Sequence, residues 1–258
     1  MHGRDEQGET IPTNLRLLLV LEEVARLGVP ATPTEINQRL GLPKPTIHRL
    51  FSTLEQAGFL QREIDGRAYT PGRRMRRLSL GVLSSLRVRT ARLAVLSALA
   101  EDIGETCNIA LPDRDAMLYL DRVETKWPLR IQLPIGTQVP FYCTASGKIY
   151  LSSLADSHLK RYAGAAALTP HTERTLTTAE SLLKDIKHTR ARGYAQDDEE
   201  FMEGMIAIAV PILDPNGRFL SSLSFHAPTQ RMTLKRATTH LERLRLAADE
   251  LSKLVADD

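Results

Sequence analysis

The sequence predicts a two-unit chain of α+β class, with an N-terminal winged helix-turn-helix joined by a helical linker to a larger α+β domain. Three observations carry this. The chain has 258 residues, more than one domain of ordinary size requires. Its first 70 residues read helix, short helix, tight turn, longer helix, hairpin. Beyond Cys107 the periodicity changes to short apolar runs divided by turn residues, with helical stretches among them. The predicted bounds are 11–71 for the winged module, 72–90 for the linker helix and 91–258 for the remainder.

Asn14 to Leu27 places Leu15, Leu18 and Leu19 and then Val24 at helical spacing, and Gly28 ends the helix. Thr32, Pro33 and Glu35 form a capping box with proline at the first helical position, opening a helix of about two turns that stops at Gly41. Gly41-Leu-Pro-Lys44 turns the chain into a third helix, Pro45 to Ala57. There Ile47, Leu50, Phe51 and Leu54 make an inward stripe at i, i+3, i+4 and i+7. The opposite face presents Thr46, His48, Arg49, Ser52 and Thr53, side chains able to reach base edges and phosphates in a major groove. Lys44, at the helix start, suits a backbone phosphate. Phe59 to Ile64 and Arg67 to Thr70 flank Asp65-Gly66, a hairpin signal read as a wing with Arg62 and Arg67 near its tip.

Charge agrees with a polyanionic partner for this part of the chain. Residues 1–90 hold 14 Lys and Arg against 9 Asp and Glu, although the whole chain carries only +3. Arg73, Arg74, Arg76 and Arg77 open a helix that continues through Leu78, Leu80, Val82, Leu83 and Leu86. Its basic start is expected near DNA and its apolar part against a second copy. Another helix runs from Val88 to Ile103.

In the second domain Cys107–Leu111, Ala116–Val123 and Leu129–Leu133 read as strands, and Thr144–Leu154 and Thr178–Arg192 as helices. Two apolar strands, Met205–Leu213 and Phe219–Phe225, follow, and a helix of about Leu234–Val255 closes the chain. No run reaches the roughly 18 apolar residues of a membrane span, and Met1–Thr10 lacks the apolar core of a secretory signal. Two cysteines make neither a disulfide framework nor zinc spacing, so a reduced, cytoplasmic setting is expected. Catalysis is not expected. Ser146-Gly-Lys148 is no nucleotide loop, because Tyr142 stands where the first glycine is needed, and the seven histidines form no close pair. The acidic run Asp197–Glu200 is expected to be solvated or to begin a helix. Neither metal nor cofactor is expected.

Over about residues 14–256 the chain resembles the isocitrate lyase regulator (IclR) family of bacterial transcription factors. The resemblance rests on Gly41-Leu-Pro-Lys-Pro-Thr-Ile-His-Arg-Leu50, Leu54-Glu-Gln-Ala-Gly-Phe-Leu60, Thr144-Ala-Ser-Gly-Lys148 and Gly193-Tyr-Ala-Gln-Asp-Asp-Glu-Glu200, continuing through Gly204, Ala207-Ile-Ala209 and Pro211. It implies a GAF-like effector domain, homodimers or homotetramers on palindromic double-stranded promoter DNA, and modulation by a small organic or aromatic acid. Matching positions imply effector contacts at Ala145, Ser146, Asp197, Ala207, Ser224 and His226. The pattern departs at Leu213, where an aromatic or His is usual, at Ala207, where Cys is frequent, and at His226, where a small residue is frequent. His226 is open to two readings, a partner for an acid or phenol and a structural histidine; Asp197 is likewise open to ligand contact or to stabilising its own turn. A C-terminal domain that only oligomerises is the alternative to an effector sensor.

Overall fold

The computed structural model describes residues 11–63, 66–83, 86–127 and 133–256, and the chain divides between residues 85 and 86 into two compact units. The first contains α1 (Arg16–Leu27), α2 (Pro33–Leu40), α3 (Lys44–Gln56), β1 (Leu60–Arg62), β2 (Tyr69–Pro71) and α4 (Arg73–Leu83). Gly28 ends α1 at φ +65°, a conformation that glycine adopts without strain. Both halves of the capping box form at Thr32 and Glu35. Asn37 then fixes the turn between α2 and α3. Its side-chain amide donates to the Leu42 carbonyl (2.8 Å), and its carbonyl accepts from the Leu42 amide (2.9 Å). The helix begins at Lys44, one residue before the expected Pro45, because Pro43 already accepts the first helical hydrogen bonds.

Val20, Val24, Ile36, Ile47, Phe51, Leu54, Leu60 and Tyr69 form one core. β1 and β2 pair antiparallel, and Tyr69 also exchanges backbone hydrogen bonds with Ala31, so the wing is tied to the entry of α2. Gly72 closes the wing. Its amide donates to Phe59 O at 2.6 Å, and a Cβ there would lie 2.5 Å from Gly58 O.

The second unit contains α5 (Leu86–Ile103), β3 (Thr106–Asp113), β4 (Ala116–Val123), β5 (Gln138–Pro140), α6 (Ala145–Ser153), α7 (Asp156–Ala165), α8 (Ala179–Arg192), β6 (Ala195–Asp198), β7 (Met205–Leu213), β8 (Phe219–Pro228), α9 (Leu234–Ala237) and α10 (Leu241–Ala256). The strands form one antiparallel sheet in the order β5-β4-β3-β8-β7-β6. Ile206, Ile208, Leu223 and Phe225 face α5 and α10. The alternate residues Ala195, Ala207 and Ala209 face Ala145 and Ile149 of α6. This is the α+β sheet domain the sequence suggested. It adds β5, α7 and β6, whose apolar patterns are too short to read alone, and a 3₁₀ turn at Thr238–His240 divides the expected last helix. The expected strand at Leu129–Leu133 falls mainly outside the described residues.

Candidate DNA interface and effector face

Helix α3 buries Ile47, Leu50, Phe51 and Leu54 and leaves Lys44, His48, Arg49, Ser52 and Thr53 exposed, with Thr46 half-buried. Thirteen residues span about 20 Å. The T-shaped contact of Phe51 with Tyr69, at 4.9 Å between ring centres, anchors the helix to the wing. The Thr53 hydroxyl donates to the Arg49 carbonyl at 2.9 Å, so part of its hydrogen-bonding capacity is used within the helix. Arg67 is exposed beside Gly66. Arg62 is exposed too, yet its guanidinium is turned onto the fold: it pairs with Glu55 at 2.8 Å, donates to Gly66 O at 3.1 Å and lies 4.7 Å above the Tyr69 ring. The hydrogen bond from Arg62 holds the Glu55 carboxyl below its ordinary range. A phosphate would have to share Arg62 with Glu55, whereas the α3 side chains face outward. In α4, Arg74 stacks on Phe59 at 4.7 Å, and Arg73 and Arg77 are exposed.

In the second unit the six residues implied as effector contacts gather on the α6 side of the sheet. Asp197, Ala207 and His226 are register partners on β6, β7 and β8, one row across three strands. Ser224 lies in the next row between Ala209 and Asn108. Above it, the Ser146 hydroxyl donates to the Ser224 hydroxyl at 3.1 Å. Ala145 and Ser146 are the first residues of α6, whose amides have no acceptor within the helix, while the Thr144 cap takes the Gly147 amide at 3.1 Å. Gly147 lets α6 settle onto Phe141, since a Cβ there would meet the Phe141 backbone at 2.3 Å.

The acidic run departs from expectation. Asp197 and Glu200 are buried, not solvated. Their counter-charge is Lys148, 1% exposed, whose ammonium pairs with Glu200 and lies 3.1 Å from Asp185 Oδ2. Burial opposes the ammonium, but Glu200 and Asp185 outweigh it and hold its pKa above the ordinary value. Asp197 Oδ1 accepts from the amides of Glu200 (2.8 Å) and Phe201 (3.3 Å). Even so, burial and the Glu200 charge push its carboxyl up to about 7. Tyr119 of β4 feels the charges of both Arg122 and Asp197, and burial raises its phenol to about 12. Asn108, Tyr119, Arg122 and the Lys148–Glu200 pair had no part in the sequence reading. A charged residue inside a strand was the available signal for Arg122.

Two clefts lie elsewhere. One, of about 590 Å³, runs along Ala100, Gly104, Val123 and Trp127, and one of about 630 Å³ along Val139, Tyr142, Tyr162 and His171. Neither includes the six residues. Among the described residues no helix is long and apolar enough to cross a membrane, and no group of three His, Cys, Asp or Glu could hold a metal.

Comparison with known proteins matches residues 15–63 to the IclR helix-turn-helix domain and residues 80–253 to the bacterial transcriptional regulator IclR C-terminal domain. The chain is 38% identical over 239 residues to the probable transcriptional regulator SauR of Cupriavidus necator, covering 93% of this chain and 95% of that one. With the transcriptional repressor IclR of Escherichia coli it shares 30% identity over 225 residues, covering 86% and 82%. The crystal structure of the Thermotoga maritima IclR superposes with a TM-score of 0.62 at 27% identity, over 93% of this chain and 97% of that one.

Proposed function

This chain belongs to the IclR family of bacterial transcriptional regulators and carries its helix-turn-helix DNA-binding domain, and from that premise we propose that α3 enters the major groove of a promoter operator while a small organic acid under α6 sets operator affinity. The observation that carries the reading is the outward face of α3, where Lys44, His48, Arg49, Ser52 and Thr53 stand over a fully buried apolar stripe. Arg49 and Lys44 supply positive charge for phosphates, and the hydroxyls and imidazole supply donors and acceptors for base edges. Arg67 reaches the backbone from the wing, with Arg62 as its brace.

A homodimer or homotetramer places two such helices about 34 Å apart on a palindrome. The exposed Leu15 just before α1, Leu18 of α1, and Leu78 and Val82 of α4 supply apolar surface for that pairing. For the effector, the amides of Ala145 and Ser146 and the Ser224 hydroxyl, whose hydrogen the Ser146–Ser224 bond leaves free to donate, make a donor set suited to a carboxylate. Asp197, half-protonated near neutral pH, adds a carboxyl that can donate, and Ala207 is the small residue between it and His226 in the row. This buried polar row favours a sensor over a domain that only oligomerises. The relatives are named as regulators, and we read the unit as non-catalytic, without cofactor, in a cytoplasmic protein.

Fluorescence anisotropy with a duplex from the DNA upstream of its own gene, against a scrambled duplex at equal salt, tests the reading. Tighter binding to the upstream duplex is expected. Equal binding to both would remove operator recognition.

A further inference from the structure

Beneath α6 a directed chain of hydrogen bonds links β4, β3 and β8. Arg122 Nη1 donates to Asn108 Oδ1 at 2.9 Å, and Asn108 Nδ2 lies 3.2 Å from His226 Nδ1. Arg122, Asn108 and His226 are 8%, 0% and 4% exposed. Chemistry fixes the direction. A guanidinium only donates, so the Asn108 amide must turn its oxygen to Arg122. That leaves its NH₂, which also only donates, facing the imidazole. Nδ1 of His226 therefore accepts and carries no hydrogen, and the hydrogen of the ring sits on Nε2.

A bulge in β4 makes the chain possible. Ala110 pairs with Tyr119 and Ile109 with Asp121, leaving Leu120 as an extra residue. Uninterrupted alternation would put Arg122 on the α5 side. Instead Asp121 takes that side, paired with Arg92 at 2.7 Å and Arg89 at 3.2 Å, and Arg122 returns to the α6 side, steadied by Glu124 at 3.2 Å. His226 follows Ser224 by two residues on the same face of β8, about 7 Å along the strand.

We propose that Arg122 and Asn108 are positioning residues that hold His226 as a fixed Nε2–H donor, a second anchor about 7 Å from the Ser146–Ser224 anchor, so that this protein selects a short dicarboxylate. This rests on the reading of the α6 face as the effector site. One acid group meets the Ser224 hydroxyl and the first-turn amides of α6, and the other meets His226. A monoacid leaves the second donor unused and gains less.

Long-range ¹H–¹⁵N correlation on the full-length ¹⁵N-labelled protein reads the tautomer, with the His226 signals identified by their loss in His226→Gln. An acceptor-type shift at Nδ1 and an NH-type shift at Nε2 are expected. Asn108→Asp replaces the donor by an acceptor and should move the hydrogen to Nδ1; Arg122→Met should give a mixture of tautomers, and Arg122→Lys should restore one. A hydrogen on Nδ1 in the native protein, or no change in either Asn108→Asp or Arg122→Met, overturns the relay. Thermal shift with succinate and glutarate against propionate, at matched ionic strength, reads the second anchor. A diacid should raise the melting temperature by more than propionate does, and His226→Phe should lose the difference. No diacid response, or an equal response to propionate, overturns the diacid selection even if the tautomer is as stated. A diacid response undiminished in Ser224→Ala would instead count against the α6 face as the effector site.

Discussion

Replacing Lys148 by Met should destabilise the second unit by about 3–5 kcal/mol, the range found when one partner of a buried ion pair is removed. Methionine approximates the length of the aliphatic stem, so little packing is lost. What remains is three carboxylates with no ammonium beside them, Glu200 and Asp197 buried and Asp185 a quarter exposed. For a unit of this size each kcal/mol moves the melting temperature by about 2–4 °C, so a drop of about 10 °C is expected. Burial already raises Glu200, and Lys148 limits the rise. Without the ammonium the folded-state pKa values of Glu200 and Asp197 climb further above their unfolded values. Stability then lies on the acid side and is lost as pH rises through the shifted pKa values, so the gap from the native protein should widen between about pH 5 and about pH 8. Thermal denaturation followed by circular dichroism across that range reads it. A gap that narrows with rising pH, or a fall below about 2 °C at about pH 8, would refute the buried-charge argument.

Three further outcomes follow from particular contacts. Gly72→Ala would place a Cβ 2.5 Å from Gly58 O and 2.8 Å from the Phe59 carbonyl carbon; backbone cannot yield as a side chain does, so a loss of about 1–3 kcal/mol in the first unit and weaker duplex binding are expected in melting and anisotropy, and native-like values for both would contradict this. Asn37→Ala removes both hydrogen bonds to Leu42 and should cost about 1–3 kcal/mol while weakening DNA binding from a position off the exposed face of α3, which denaturant titration and anisotropy would read; unchanged values would show that the turn holds without them. For Asp197, the rise from an ordinary 3.8 to about 7 corresponds to about 4 kcal/mol in favour of the protonated carboxyl, and stability linked to it falls as pH rises between those values. Asp197→Asn should therefore melt higher than the native protein above neutral pH and vary less with pH, and parallel melting curves would contradict this.

The DNA-reading module was largely legible because its signals are local. Capping at Thr32, the glycine stops and the stripe from Ile47 to Leu54 each lie within a few residues of the element they define. The wing brace was less so: Arg62 looks like a phosphate ligand until Glu55, seven residues earlier, and Tyr69, seven later, are brought beside it. In the second unit, resemblance indicated residues that gather on one sheet face, whereas the groups that tune that face are non-local. Lys148 meets Glu200 across 52 residues and Asn108 meets His226 across 118, and no periodicity encodes such pairs. Arg122 was hidden for a different reason, since the extra residue Leu120 reverses the alternation that would otherwise assign its side. Asp197 and Glu200 looked like a solvated run because a buried acid is recognisable only once its cation is in place.

Salt dependence of operator binding, measured on the full-length native protein and on Arg49→Ala with the duplex upstream of its own gene, is the most direct test that α3 is the DNA reader. Loss of one phosphate contact should weaken binding and flatten the slope of log K against log salt by about 0.9. An Arg49→Ala protein with native affinity and native slope would put α3 outside the interface.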